Sequence, residues 1–173
     1  MESLPKRKAA RLRSYDYSSG GAYFLTLCAQ NKAHLFGQVV GAGVPDGPNV
    51  CLSPPGEIVR RRLEEMNRVY SDLSIMNYVI MPNHIHILLV LDGSCGPSRT
   101  PAPTNARIPG FVSTLKRMTN REAGVDLWQR SYHDHVIRSE ADYLGHWTYI
   151  DGNPARRAED EYYTESTLFH IKE

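Results

Sequence analysis

The chain has 173 residues, 41% of them hydrophobic and 23% charged, with a net charge of +1, which suits one domain able to bury a core without metal or disulfide staples. No apolar run reaches the roughly 18 residues of a membrane span, and the basic start lacks the apolar stretch and cleavage site of a secretory signal, so a cytoplasmic protein with no membrane partner is expected. The three cysteines, Cys28, Cys51 and Cys95, are widely spaced with no CxxC pair, which excludes a complete disulfide framework and a cysteine zinc site.

Residues 1–19 read as a basic arm, in which Lys6, Arg7, Lys8, Arg11 and Arg13 are candidate DNA-backbone contacts. The competing reading is a solvated arm. Residues 22–29 (AYFLTLCA) form a strand by their aromatic and β-branched content, and a short strand is possible over 35–40. The stretch GAGVPDGPNVCLSPP reads as a loop. Residues 56–70 carry an apolar stripe of Ile58, Leu63, Met66 and Val69 at helical spacing. Strands follow over 74–81 and 84–91, the second (HIHILLVL) apolar enough for the middle of a sheet. Residues 93–106 are a Gly/Pro/Ser loop. A second helix covers 108–123, a turn and strand cover 127–137, and a third helix covers 139–152, with Ser139 and Asp142 resembling a capping box.

The sum is an α+β fold: an antiparallel four- to five-stranded sheet with helices packed on it, on the split βαβ or ferredoxin-like plan. The expected division is an arm over 1–19, a catalytic domain over 20–158 and a short acidic tail over 159–173.

Residues two apart on a strand share a face, so His84 and His86 present two imidazoles side by side. Such a pair can hold one divalent metal with positions left open for substrate; two histidines on a solvated sheet face are the bland alternative. His133 and His135 form a rival pair, with Asp134 between them. In the third helix, a step of about 100° per residue puts Tyr143, Trp147 and Ile150 on a core stripe and gathers Asp142, His146, Tyr149 and Asn153 on a separate polar face. Tyr149 and Asn153 are one turn apart. A tyrosine needs a nearby cation to become a nucleophile, and an Asn amide oxygen is a suitable third ligand beside two imidazoles. A merely solvated polar face would look the same.

Together these residues resemble the HUH-type single-tyrosine transposases, and among them the REP-associated tyrosine transposases of bacteria. The resemblance runs from about residue 15 to 157 and rests on GAYFLTLCAQNKAHLFG, VIMPNHIHILLVL, LWQRSYHDHVIR and DYLGHWTYIDGNPARR. It implies that Tyr149 is the nucleophile, that His84, His86 and Asn153 are the metal ligands, and that the cofactor is Mg2+ or Mn2+. It also implies a homodimer acting on single-stranded or hairpin DNA. Two features depart from the pattern. His133 stands where relatives often have an aromatic, and Gly152 inside the tyrosine turn threatens to loosen the helix end that carries Asn153.

The expected activity is metal-dependent cleavage and strand transfer of single-stranded DNA through a 5′-phosphotyrosine intermediate. The runner-up is a non-catalytic, domesticated nucleic-acid-binding module of the same fold. A third reading, a metal hydrolase using water, needs a carboxylate base near the histidines, for which Asp142 is the obvious candidate.

Overall fold

The computed structural model describes residues 20–41, 49–92, 107–156 and Tyr162. The arm with Lys6, Arg7, Lys8, Arg11 and Arg13, the loop over 93–106, and the acidic tail other than Tyr162 lie outside the described residues.

In chain order the elements are β1 (Gly21–Cys28), β2 (Gly37–Val40), β3 (Asn49–Leu52), α1 (Pro54–Val69), β4 (Leu73–Met81), β5 (His84–Leu91), α2 (Arg107–Ala123), β6 (His133–Ile137) and α3 (Glu140–Gly152). Four strands make one sheet in the order β4-β5-β1-β6, and β2 and β3 make a separate two-stranded ribbon. Every pairing is antiparallel. With β1 and β5 central, strand, helix, strand, strand, helix, strand follows the split βαβ plan, as the sequence predicts.

One strand escaped the sequence reading. Residues 49–52 (NVCL) sit in a Gly/Pro-rich stretch that reads as loop, yet Val50 lies across from Val39 and closes the ribbon. Just after it, Ser53 caps α1 by accepting from the Gly56 N–H, with prolines at the first helical positions, where their missing N–H groups cost nothing.

The two faces of the main sheet differ. Tyr23, Leu25 and Leu27 of β1 and Ile85, Ile87 and Leu89 of β5 point to one side, where they join Val59, Leu63 and Met66 of α1 and Ile108, Phe111 and Leu115 of α2 in the principal core. The opposite face carries a smaller cluster of Phe24, Leu88 and Ile150, against which Val79, Ile137, Tyr143 and Trp147 pack. Here α3 lies on the sheet. No helix among the described residues is long and apolar enough to cross a membrane.

Candidate active site

The register of the sheet assembles the site row by row. Thr26 of β1 lies across from His86 on one side and His133 on the other, while Cys28 lies across from His84. In the next row Phe24 lies between Leu88 and His135. Directly opposed residues share a face, so all these side chains stand on the side that α3 covers.

His84 and His86 are fully buried, with ring centroids 4.7 Å apart. Each has its Nδ1 engaged by a neighbouring side-chain oxygen. The Nδ1 of His84 donates to Asn83 Oδ1 at 2.8 Å, because an amide oxygen only accepts. Asn83 is held that way round by its own amide N–H, which donates to the Tyr162 carbonyl at 3.0 Å. The Nδ1 of His86 lies 2.8 Å from Thr26 Oγ1. With Nδ1 so engaged, Nε2 is the nitrogen each imidazole can offer a cation, and a side-chain oxygen on the far nitrogen is the usual support of a metal-binding histidine. The donor chemistry of the pair therefore fits a divalent metal.

The third helix meets this face as the wheel predicts. Ser139 Oγ accepts from the Asp142 N–H at 3.2 Å and starts the helix. Ile150 is buried on the Phe24 cluster, with Tyr143 and Trp147 packed beside it. Tyr149 comes to lie with its ring 5.2 Å from His86 and 6.0 Å from Phe24, yet remains 37% exposed. A side chain that packs on His86 and also reaches solvent can act as a nucleophile on an external substrate. Asn153 is buried at the end of the helix, in αR conformation at φ −59° and ψ −44°, but its N–H reaches the Ile150 carbonyl three residues back, at 3.3 Å, so the turn that carries it tightens to a 3-10 type.

A cavity of about 800 Å³ opens over the face, lined among others by Thr26, His86, His133, Tyr149 and Tyr162. Neither His84 nor Asn153 lines it. Sequence reading missed Tyr162, whose ring lies 5.9 Å from both His84 and His86 and 5.3 Å from His133. No periodicity places a tyrosine from the tail over a strand, so nothing short of the fold could have found it.

The rival pair is split by its surroundings. His133 faces Tyr162, whereas His135 turns to Asp142, its Nε2 2.9 Å from Asp142 Oδ2. Asp134 lies across from Leu25, on the principal-core face, with both carboxylate oxygens buried and without a hydrogen bond. It therefore cannot join the two histidines around a metal. Asp142 is no better as a base beside His84 and His86. It is engaged by His135, His146 and the Arg138 N–H, and the Phe24 ring stands between His86 and His146 at 5.1 and 4.4 Å. The hydrogen bond from His135 holds the Asp142 carboxyl below its ordinary range against the opposing effect of burial.

Arg60, Arg61 and Arg62, three consecutive arginines on α1, are paired within the protein. Arg60 pairs with Glu57 and Glu64, and Arg61 and Arg62 pair with Glu122. They tie α1 to itself and to α2, on the side of the sheet away from Tyr149.

No family model matches the chain. Among solved structures, a REP-associated tyrosine transposase bound to a REP hairpin superposes with a TM-score of 0.60 at 20% identity, covering 87% of this chain and 76% of that one. The likeness is one of fold. A putative transposase from Deinococcus radiodurans aligns over 84% of this chain and 98% of that one at 22% identity, with a TM-score of 0.40, too low to speak for a common fold. An uncharacterized protein of Haemophilus influenzae is 32% identical over 175 residues, which take in 92% of this chain and 94% of that protein. At that identity over nearly the whole of both, the chain belongs to the same family as the Haemophilus influenzae protein.

Proposed function

We propose that the chain is a transposase-like enzyme that nicks and rejoins single-stranded DNA, with Tyr149 as its nucleophile. The observation that carries this reading is the placement of a partly exposed tyrosine against His86, itself 4.7 Å from His84, in a buried histidine pair whose Nδ1 atoms are both engaged by side-chain oxygens.

In the step proposed, Tyr149 Oη bonds to the scissile phosphorus as the phosphorus–O3′ bond breaks. The phenolic proton is lost and the departing 3′-oxygen gains one, which leaves a 5′-phosphotyrosine and a free 3′-hydroxyl. One phosphoester is exchanged for another, so attack by a 3′-hydroxyl reverses the step and rejoins a strand without ATP. His84, His86 and Asn153 would hold a divalent cation, Mg2+ or Mn2+, whose charge polarises the phosphate. Thr26 and Asn83 keep the two imidazoles aimed, and Phe24 backs both His86 and Tyr149. Residues 20–158 would form the catalytic unit and the arm over 1–19 would contact the DNA backbone through Lys6, Arg7, Lys8, Arg11 and Arg13. Hairpin-flanked DNA as the target and a homodimer as the working form complete the reading. The hairpin in the structure of the REP-associated transposase supports the first.

Covalent trapping tests it. The chain and Tyr149→Phe would be incubated with labelled single-stranded DNA from the gene's own flanks, with and without manganese, and run on a denaturing gel. The expected result is a manganese-dependent protein–DNA adduct in the chain, with adduct and cleavage reduced on the order of 10³-fold or more in the variant. Cleavage that survives in Tyr149→Phe would replace the tyrosine mechanism with hydrolysis by water. Binding with neither adduct nor cleavage would make the chain a nucleic-acid-binding module.

A further inference from the structure

His135, Asp142 and His146 form a second constellation, which the tyrosine chemistry does not use. It draws on two elements: His135 from β6, and Asp142 and His146 one turn apart on α3. His135 Nε2 is 2.9 Å from one Asp142 oxygen, His146 Nδ1 is 3.1 Å from the other while donating to the Asp142 backbone carbonyl at 2.8 Å, and the two imidazoles stack with centroids 4.9 Å apart. One donor atom from each residue can be chosen so that no two are more than 4.8 Å apart.

The spacing has a direct reading. A zinc-class ion binds nitrogen and oxygen at about 2.0–2.1 Å, so two ligands of a tetrahedral site stand roughly 3.3 Å from each other. The His135–Asp142 spacing is already close to that, and His146 joins it by giving up its bond to the Asp142 carbonyl or by turning Nε2 to the ion. The imidazole–imidazole spacing can close by rotation of His135, whose side chain is half exposed. The donor types select the ion: two imidazoles and one carboxylate suit zinc, cobalt or nickel, whereas magnesium and calcium favour all-oxygen shells. An ordinary surface pairing would account for Asp142 with either histidine, since such His–Asp contacts are common and weak. It does not account for imidazoles from β6 and α3 stacking beside that carboxylate with one donor atom of each residue inside a common ligand range.

We propose that His135, Asp142 and His146 bind a zinc-class divalent cation at a site distinct from His84 and His86. The two share no ligand, and the Phe24 ring stands between them. All three new ligands line the cavity that Tyr149 also lines, so the remaining coordination positions are open to solvent or substrate. The bound ion ties the edge strand β6 to the first turns of the helix that carries Tyr149.

The test needs no DNA. Untagged full-length chain is titrated with Co2+, followed by visible absorption, and with Zn2+ by calorimetry and thermal melting. The double variant His135→Ala/His146→Ala is expected to lose about one equivalent of bound metal and the associated rise in melting temperature, while its metal-free circular dichroism stays unchanged. Asp142→Asn keeps a side-chain oxygen for the Arg138 N–H but removes the charge, and is expected to weaken the same equivalent on the order of tenfold or more. Unchanged stoichiometry and affinity in either variant would overturn the proposal.

Discussion

At the scale of single residues, the orientation of the histidine pair depends on two neighbouring side chains. Thr26 is buried directly across from His86, and Asn83 sits in the turn just before His84. Each places an oxygen within 2.8 Å of an Nδ1 and so orients the ring that offers Nε2. Thr26→Val keeps the shape and removes the hydroxyl. It is expected to weaken Mn2+ binding at the His84–His86 site by about 10- to 100-fold, with little change in fold. Calorimetry in the His135→Ala/His146→Ala background isolates that site, and an unchanged affinity would mean that Thr26 plays no orienting part. That His84 and His86 share a strand face and that Tyr149 stands off the core stripe of its helix is legible in the sequence, because both need only local periodicity, a step of two on a strand and of about 100° on a helix. Thr26 and Tyr162 are illegible there. The first depends on the β1–β5 register over a separation of 60 residues, and the second on the path of the tail.

The elements differ in how far their own residues determine them. The apolar stripe and polar face of α3 can be read off a wheel because its thirteen residues sit between a serine cap and a Gly-Asn-Pro end. The four-residue β3 cannot, because it is a strand only by virtue of its partner β2. The split in the His133–His135 pair also belongs to this scale, since α3 meets β6 at His135 while Tyr162 meets it at His133. The close junction of β2, β3 and α1 is another feature hidden from sequence. A Cβ at Gly56 would collide with the Phe36 carbonyl oxygen and press on Leu52 Cβ at 3.3 Å. Phe36 has little room to retreat: it is fully buried, its N–H bonds to the Pro82 carbonyl, and its carbonyl accepts from Ser53 at 3.0 Å. Ala is ordinarily the better helix former, so Gly56→Ala would stabilise an isolated helix. In this fold it is expected to destabilise by about 1–3 kcal/mol, read from urea unfolding midpoints. A neutral or stabilising result would show that the junction yields.

For the molecule as a whole, one sheet serves two purposes on its two faces. The α1–α2 face is a continuous apolar core that holds β1 and β5 rigid. The α3 face spends much of its area on histidines and an open cavity, and its apolar cluster is correspondingly small. The site thus leans on a scaffold stabilised from the other side, and part of that scaffold carries a charge. Lys116 of α2 reaches across to the segment before β6, where its Nζ donates to the carbonyls of Gln129 at 2.7 Å and Ser131 at 3.0 Å. Burial pushes its ammonium from the ordinary 10.5 down to about 8, with a smaller opposing contribution from Cys28. The sign of the consequence follows from proton counting. Between about 8 and 10.5 the unfolded chain keeps the proton while the folded chain has lost it, so stability rises with pH across that window. Below 8 both states are protonated and the penalty of burying the charge is felt in full. Lys116→Met removes the titrating group and keeps the packing of its stem. Urea midpoints measured from about pH 7.5 to 10 are therefore expected to climb more steeply for the unmodified chain than for Lys116→Met. Parallel curves would mean that the contact between α2 and the segment before β6 holds its ammonium as comfortably as water does.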